Sequence, residues 1–115
     1  MSGKVRATHL LIKHQGSRNP VSRRTNQSTA NVTRDEAIKE LLVWHQKITT
    51  GEITFEQAAL QRSDCGSYRQ GGDLGEFGPG EMMKPFEDAT RALKVGEISG
   101  VVETDSGAHL IKRLA

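Results

Sequence analysis

The spacing of apolar and polar residues changes several times along the chain, and each change marks a predicted element. Residues 4–13 are rich in apolar and β-branched types and contain no glycine or proline, which predicts a strand near the centre of a sheet. Residues 14–32 then lose any apolar period and consist mainly of turn-forming and polar types. Loops of this length without their own structure are uncommon in compact domains, so a functional role is expected.

Apolar residues next recur at helical spacing, behind two repeats of a helix-start motif. Thr33 with Glu36, and Thr54 with Gln57, match the capping box, in which a hydroxyl and a carboxyl or amide group satisfy the first backbone N–H groups. They predict a helix over 34–50 and a short second helix after residue 54. The predicted inner faces carry Ile38, Leu41, Leu42, His45 and Ile48 in the first helix, and Phe55, Ala58, Ala59 and Arg62 in the second.

The second half of the chain returns to strands around one further helix. Residues 71–80 are dense in glycine and predict a short strand between tight turns. Pro85 suits the first turn of a third helix that ends near Gly96, with an inner face of Phe86, Ala89, Thr90 and Leu93. Residues 98–103 and 108–114 predict two strands joined by a turn. The pattern alone leaves open how the glycine-rich strand joins the sheet.

Composition adds limits to this picture. A chain of 115 residues with 35% hydrophobic and 26% charged residues is expected to form one globular domain. The net charge of +2 does not favour a nucleic-acid partner. Cys65 is the only cysteine, which precludes an internal disulfide and fits a reducing compartment, and no segment resembles a signal peptide or a membrane span. We expect a monomeric, cytoplasmic or nuclear protein without a membrane partner.

Histidine and cysteine are the candidates for chemistry. His9 lies in the first predicted strand and His109 in the last, while Cys65 follows a helix end. These residues could form a Cys-His hydrolase, although no strand-to-helix nucleophile motif surrounds Cys65. A zinc site that adds His14 is conceivable by ligand type but lacks a closely spaced ligand pair. The glycine-rich segment lacks the Gly-Lys-Ser/Thr ending of a phosphate loop, so its glycines are interpreted as turn residues.

A cluster of cations lies in or next to the long loop. Its members are Lys13, Arg18, Arg23 and Arg24. They form either a solvated basic loop or an anion clamp, because guanidinium groups match the geometry of phosphate oxygens.

Five ordered stretches of the sequence together resemble the parvulin family of peptidyl-prolyl cis/trans isomerases. They are residues 9–14 (HLLIKH), 63–65 (SDC), 71–77 (GGDLGEF), 82–89 (MMKPFEDA) and 104–109 (TDSGAH). The resemblance implies an α+β fold in one domain over residues 1–115, with a four-stranded antiparallel sheet surrounded by about four helices. The first and last strands would be central, so that His9 and His109 lie side by side.

The resemblance also implies a site. Its catalytic residues would be His9, Cys65, Ser106 and His109, and an apolar cup of Leu74, Met82 and Phe86, with Met83 beside it, would hold the proline ring. The basic loop, residues 15–33, resembles the phosphate-binding loop of the subclass that acts on phosphoserine-proline and phosphothreonine-proline. Lys13 and Arg18 match its cations, whereas Asn19 replaces an arginine, so Arg23 or Arg24 is expected to complete the clamp.

The predicted function is therefore acceleration of rotation about X–Pro bonds, with a preference for phosphorylated or acidic X and a non-covalent mechanism. Such rotation breaks no bond and needs neither metal nor cofactor. The expected partners are proline-containing proteins phosphorylated on Ser or Thr before proline, and the tryptophan-rich targeting module of this subclass is not expected. The alternative is a phosphopeptide-binding module without catalysis.

Overall fold

A four-stranded antiparallel sheet forms the centre of the computed structural model, which describes residues 3–115. Its two middle strands are β1 (Val5–Ile12) and β4 (Gly107–Arg113), paired in a register that runs from Ala7 opposite Arg113 to Ile12 opposite Ala108. The outer strands are β2 (Asp73–Phe77), beside β1, and β3 (Val102–Thr104), beside β4. The prediction of central first and last strands is confirmed.

Three α-helices and one 3₁₀ helix surround the sheet, as expected from the resemblance. They are α1 (Arg34–Thr49), α2 (Phe55–Arg62), the 3₁₀ helix (Gly66–Gln70) and α3 (Lys84–Ala92). Both capping boxes are formed, with Thr33 and Thr54 accepting hydrogen bonds from the third residue of each helix. None of the helices in the described range is long and apolar enough to cross a membrane.

Apolar side chains cover both faces of the central strands, which explains why β1 reads as a nearly continuous apolar run. On one face Leu10 and Leu110 pack against Leu41 of α1 and Phe55 of α2. On the other face Val5, Ala7 and Ile111 pack with Phe77 and Phe86. The second face continues into the candidate site. One predicted inner position was wrong: Leu42 on α1 is 53% exposed.

The strand predicted over 98–103 is shorter in the structure. Ile98 forms an isolated bridge with Lys112, and regular pairing begins only at Val102. Between them the Ser99 hydroxyl accepts a hydrogen bond from Ile111 N at 2.9 Å, where a regular ladder would use a backbone carbonyl. A side chain therefore replaces part of the ladder, and the regular strand is interrupted there.

The loop after β1 has its own hydrogen bonds, although its sequence suggests little structure. Gln15 N donates to Val32 O at 2.7 Å and closes the base of the loop. Val21 and Ser28 form an antiparallel bridge, and Lys13 Nζ donates to Val21 O at 2.8 Å. The loop is thus anchored to the end of β1, beside the candidate site.

Candidate active site

His9 and His109 lie next to each other on one face of the sheet. The register places His109 opposite Leu11, so His109 and His9 occupy diagonal positions on neighbouring strands. Their Nδ1 atoms are 3.0 Å apart and their rings are stacked, with centroids 5.2 Å apart. At this distance one Nδ1 donates a hydrogen bond and the other accepts it. The two histidines therefore form a directly hydrogen-bonded pair.

His109 is fixed at its second ring nitrogen as well. Its Nε2 lies 2.7 Å from the hydroxyl oxygen of Thr104, at the end of β3. Burial and the neighbouring His9 lower the pKa of His109 well below its usual range. His109 is consequently neutral at physiological pH. Nε2 of His9, in contrast, is buried and has no hydrogen-bond partner of ordinary geometry within residues 3–115.

An apolar pocket of about 180 Å³ opens above the histidine pair. Phe86, near the start of α3, directs its ring toward both imidazoles at centroid distances of 5.4 Å from His9 and 5.2 Å from His109. The remaining walls come from β2, the segment before α3 and the two loops at the rim: Leu11, Cys65, Leu74, Met82, Met83 and Ser106. The structure thus brings together all predicted residues of the proline cup and the four predicted catalytic residues. We call this the apolar pocket.

A buried carboxylate positions the segment that carries Met82. Glu87 on α3 accepts a hydrogen bond from Gly80 N at 3.0 Å and another from Arg91 Nε at 2.9 Å. These bonds lower the pKa of Glu87, so the carboxylate stays ionised at neutral pH. The turn before α3 is therefore tied to the helix it precedes.

Cys65 reaches the pocket because the chain after α2 is bonded to β1. Ser63 Oγ accepts a hydrogen bond from Leu11 N at 3.1 Å, and Asp64 N donates to Leu11 O at 2.7 Å. Burial raises the pKa of the Cys65 thiol, but interactions with His9 and Ser67 outweigh it and lower the pKa to about 6. Cys65 is therefore mainly a thiolate at neutral pH.

A second, cationic pocket of about 170 Å³ adjoins the first. Lys13, Arg18, Asn19 and Arg23 line it, and it shares the walls of Leu11, Cys65 and Ser106 with the apolar pocket. Within residues 3–115 neither Arg18 nor Arg23 forms an ion pair with a carboxylate. Burial lowers the pKa of Lys13, and the charge of Arg23 lowers it further. We call this the cationic pocket.

Asp64 joins the elements that form the cationic pocket. Its carboxylate is 2% exposed and accepts hydrogen bonds from Lys13 N at 3.0 Å and from Arg62 Nη1 at 3.1 Å. Its backbone carbonyl accepts from Arg23 N at 2.9 Å, which brings the loop against the end of β1. The carboxylate thus binds a backbone amide and a neighbouring guanidinium rather than the cations of the pocket.

Two candidate residues lie elsewhere. Arg24 does not line the cationic pocket, because a tight turn in which the Ser22 hydroxyl accepts from Arg24 N separates it from Arg23. Asn19 replaces an arginine of the clamp, and either Arg23 or Arg24 was expected to supply the missing cation. The structure has Arg23, and not Arg24, in the cationic pocket. His14 lies apart from the histidine pair and accepts a hydrogen bond from Gly16 N. Within residues 3–115 no three His, Cys, Asp or Glu side chains group as metal ligands, so the zinc alternative lacks a ligand set.

Three residues of the site were not predicted from the sequence. Leu11 is part of both pockets, Thr104 binds His109, and Asp64 connects β1 to the loop. Leu11 and Thr104 lie within the motifs that carry the resemblance, and alternation along β1 places Leu11 on the same face as His9. Asp64 also lies within these motifs, in residues 63–65, but only the tertiary structure shows that its carboxylate binds Lys13 N and the Arg62 guanidinium.

The comparisons with known proteins agree with this geometry. The family model described as the PPIC-type PPIASE domain of rotamases matches residues 9–115. The chain is 50% identical over 114 residues to peptidyl-prolyl cis-trans isomerase Pin1 of Arabidopsis thaliana, covering 97% of this chain and 96% of that protein.

Two solved structures are similar over nearly the whole chain. The solution structure of TbPIN1 has 70% sequence identity and a TM-score of 0.90, with 100% of both chains covered. The peptidyl-prolyl isomerase ESS1 from Candida albicans has 43% identity and a TM-score of 0.94, covering 98% of this chain and 63% of that one. The fold, the two adjoining pockets and these similarities lead to one conclusion: the chain belongs to the parvulin, or PPIC-type, family and is a peptidyl-prolyl cis/trans isomerase that acts on proline-containing proteins.

Proposed function

We propose that this isomerase acts preferentially on X–Pro bonds in which X is phosphoserine, phosphothreonine or an acidic residue, and that it does so without a covalent intermediate. The observation that supports this most directly is the common wall of the two pockets, formed by Leu11, Cys65 and Ser106. A proline ring in the apolar pocket puts the preceding residue next to the cationic pocket. Adjacent residues of a substrate would thus meet adjacent pockets of opposite character.

The reaction itself is a rotation about one bond. Twisting an X–Pro amide breaks its resonance and meets a barrier of roughly 18–20 kcal/mol. An enzyme accelerates it only by binding the twisted amide more tightly than either planar form. The twisted amide has less charge separation than the planar one, so transfer into an apolar environment costs it less. Leu74, Met82 and Phe86 supply that environment.

The cationic pocket contributes by holding the residue before the proline. Lys13, Arg18 and Arg23 bind its phosphate or carboxylate, so that one side of the rotating bond is fixed while the proline side turns. Binding energy from this remote group then holds the amide in its twisted form. In the part of the chain that the structure describes, neither Arg18 nor Arg23 pairs with a carboxylate, which supports this role because their charges are available to a substrate.

Cys65 acts in this proposal through its charge and not as a nucleophile. A thiolate beside the substrate carbonyl disfavours the planar amide, whose resonance places negative charge on the carbonyl oxygen. The rotation needs no acyl transfer, and a covalent adduct would require a proton donor for the oxyanion. Since His109 is neutral and hydrogen-bonded at both ring nitrogens, it serves to position His9. His9 in turn sets the protonation state of Cys65, and Ser106 forms part of the pocket rim.

The test is a protease-coupled isomerisation assay on three otherwise identical peptides that contain phospho-Ser-Pro, Glu-Pro or Ala-Pro. We expect kcat/KM to decrease in that order, with phospho-Ser-Pro at least about a hundredfold above Ala-Pro if two or three charge-assisted hydrogen bonds act on the phosphate. Equal rates on all three peptides would contradict the preference. Binding of phospho-Ser-Pro without acceleration of any peptide would instead indicate the non-catalytic module.

A further inference from the structure

A third recess lies beside the cationic pocket. It is a groove of about 460 Å³ whose walls include Asn19 and Arg23, and it shares these two residues with the cationic pocket. It shares no lining residue with the apolar pocket. The cationic pocket therefore connects the apolar pocket with this groove, which we call the Arg69 groove after one of its two lining arginines.

The Arg69 groove has the side chains of an anion site. Arg23 and Arg69 line it together with Asn26 and Tyr68, and no Asp or Glu is among its lining residues. In the described part of the chain neither arginine forms an ion pair with a carboxylate. Asn26 adds an amide donor near the rim. The groove is thus positively charged and retains unused hydrogen-bond donors.

Arg69 is held in place while most of its donors stay unused. It lies in the 3₁₀ helix, where its guanidinium stands 5.6 Å from the centroid of the Tyr68 ring and its Nε donates to the Tyr68 hydroxyl at 3.1 Å. A guanidinium carries five N–H groups, and this contact uses one of them. The ring therefore restricts the side chain and leaves the other N–H groups of the guanidinium available.

A recess of mixed charge adjoins the apolar pocket at Met83. Met83 is shared by the apolar pocket and by a further recess that is lined by Lys84, Glu103 and Asp105. Lys84 pairs with Asp88 and Glu103 pairs with Arg34, so this recess has charges of both signs and most of them have partners. A peptide whose proline occupies the apolar pocket has its preceding residue at the cationic pocket, so still earlier residues continue toward the Arg69 groove. Residues after the proline would then leave on the Met83 side. Only the flank before the proline would thus meet guanidinium groups without a carboxylate partner in the described residues.

From this arrangement we propose that the Arg69 groove binds a second anionic side chain, acidic or phosphorylated, that precedes the phosphorylated residue of the substrate. The proposal rests on the proposed function, because that function sets the direction of the bound peptide. It defines the preferred substrate class as segments with anionic groups clustered before the phospho-Ser-Pro or phospho-Thr-Pro unit, and it names Arg69 as a specificity-determining residue.

The test measures kcat/KM on a phospho-Ser-Pro peptide flanked by alanines and on variants of this peptide with one added anion. Each variant carries a glutamate or a second phosphoserine at one of the three positions before the phospho-Ser-Pro unit. A mirror set carries the same residue at the three positions after the proline. We expect the best preceding anion to raise kcat/KM by about threefold to tenfold at low salt, and the mirror set to give no gain. The gain should shrink as salt increases.

Three variants assign the effect. Arg69→Ala should bring the ratio of kcat/KM on the doubly anionic peptide to kcat/KM on the singly anionic peptide close to one. Arg69→Glu should bring this ratio below one. The matched control is Lys39→Ala, which removes an exposed cation on α1 and should keep the wild-type ratio. A wild-type ratio of one, or a raised ratio that survives Arg69→Ala, would overturn the proposal. Equal rates on phospho-Ser-Pro and Ala-Pro peptides would overturn the proposed function itself and this subsite with it.

Discussion

Nδ1 of His9 lies 3.0 Å from Nδ1 of His109, although the two histidines are 100 residues apart in the sequence. Their bond joins the first and last strands under the apolar pocket, in a region where His109 is 2% exposed. A buried imidazole without a charged partner resists protonation, and this property links the site to the stability of the fold.

Stability should depend on pH through His109. Its pKa is lowered in the folded protein, so between that value and the usual value near 6.5 the unfolded chain binds the proton and the folded protein does not. The free energy of unfolding should therefore decrease as pH falls from about 7 to about 5.5, where carboxylates remain ionised. We expect urea denaturation of a Cys65→Ser protein, which lacks the thiol titration, to show this decrease. A Cys65→Ser/His109→Gln protein should show a smaller decrease in the free energy of unfolding over the same pH range. An identical pH dependence in the two proteins would contradict the role of His109.

The thiol of Cys65 should titrate near neutrality. Its pKa of about 6 predicts that the rate of alkylation by iodoacetamide rises with pH and that the midpoint of this rise lies near pH 6. Because Cys65 is the only cysteine, the measured alkylation rate reports on this thiol alone. His9→Ala should move the midpoint toward the usual thiol range, whereas His45→Ala, which alters a histidine outside the pocket, should not. An unchanged midpoint in His9→Ala would show that His9 does not activate the thiol.

Cys65 substitutions should separate the non-covalent from the covalent mechanism. We expect Cys65→Ser, which keeps a polar group beside the carbonyl, to retain measurable activity, with kcat/KM reduced about tenfold. Cys65→Ala should lose about a hundredfold, because no polar group remains. The two proteins are compared in the protease-coupled assay with the wild-type enzyme. Complete and equal loss in both, together with a trapped adduct in the wild type, is the pattern that a nucleophilic cysteine would give.

Removing a cation of the clamp should affect substrates unequally. Arg18→Ala and Arg23→Ala should each reduce kcat/KM on phospho-Ser-Pro peptides about tenfold to a hundredfold and change Ala-Pro peptides less than about twofold. Lys13→Ala should also reduce kcat/KM more on phospho-Ser-Pro than on Ala-Pro peptides. The reduction should be larger than for the two arginines, because Lys13 also anchors the loop through Val21 O. Lys39→Ala again serves as the control. A parallel loss on both substrates would mean that these side chains act on the fold and not on the phosphate.

Gly72 should be the least replaceable glycine near the site. Its φ is +87°, and a Cβ atom there would lie 2.2 Å from the carbonyl oxygen of His9. Gly72→Ala should therefore cost about 3 kcal/mol or more in the free energy of unfolding. Gly75→Ala, at a φ of +74° but with no atom within 4 Å, should cost about 1 kcal/mol from backbone strain alone. Similar losses in the two variants would remove the steric argument.

Local signals in the sequence predicted most of the fold. The capping boxes at Thr33 and Thr54 fix where two helices begin, and the apolar run of β1 reflects burial on both faces. The interruption of the last hairpin at Ser99 was not predictable, because it depends on which hydroxyl faces a distant amide. The exposed Leu42 shows the same limit, since helical spacing does not tell how wide the buried stripe is.

The site was predictable where motifs carry it and less so where tertiary bonds do. The residues of the apolar pocket follow from the motifs, whereas the choice between Arg23 and Arg24 depends on a tight turn and on the bond from Arg23 N to Asp64 O. Nor does a run of polar residues reveal that the loop is closed by Gln15 and Val32. The expected monomeric state and the cytoplasmic or nuclear location stay predictions.

The pairing of β1 with β4 also determines when this protein can become active during its synthesis. The ribosome makes His9 100 residues before His109, and the strand that carries His109 fills the gap between β1 and β3. Until that strand has emerged, the nascent chain lacks the middle of its sheet and half of its histidine pair. Such long-range pairing is slow to form. The isomerase therefore cannot act on other chains before β4 is in place between β1 and β3.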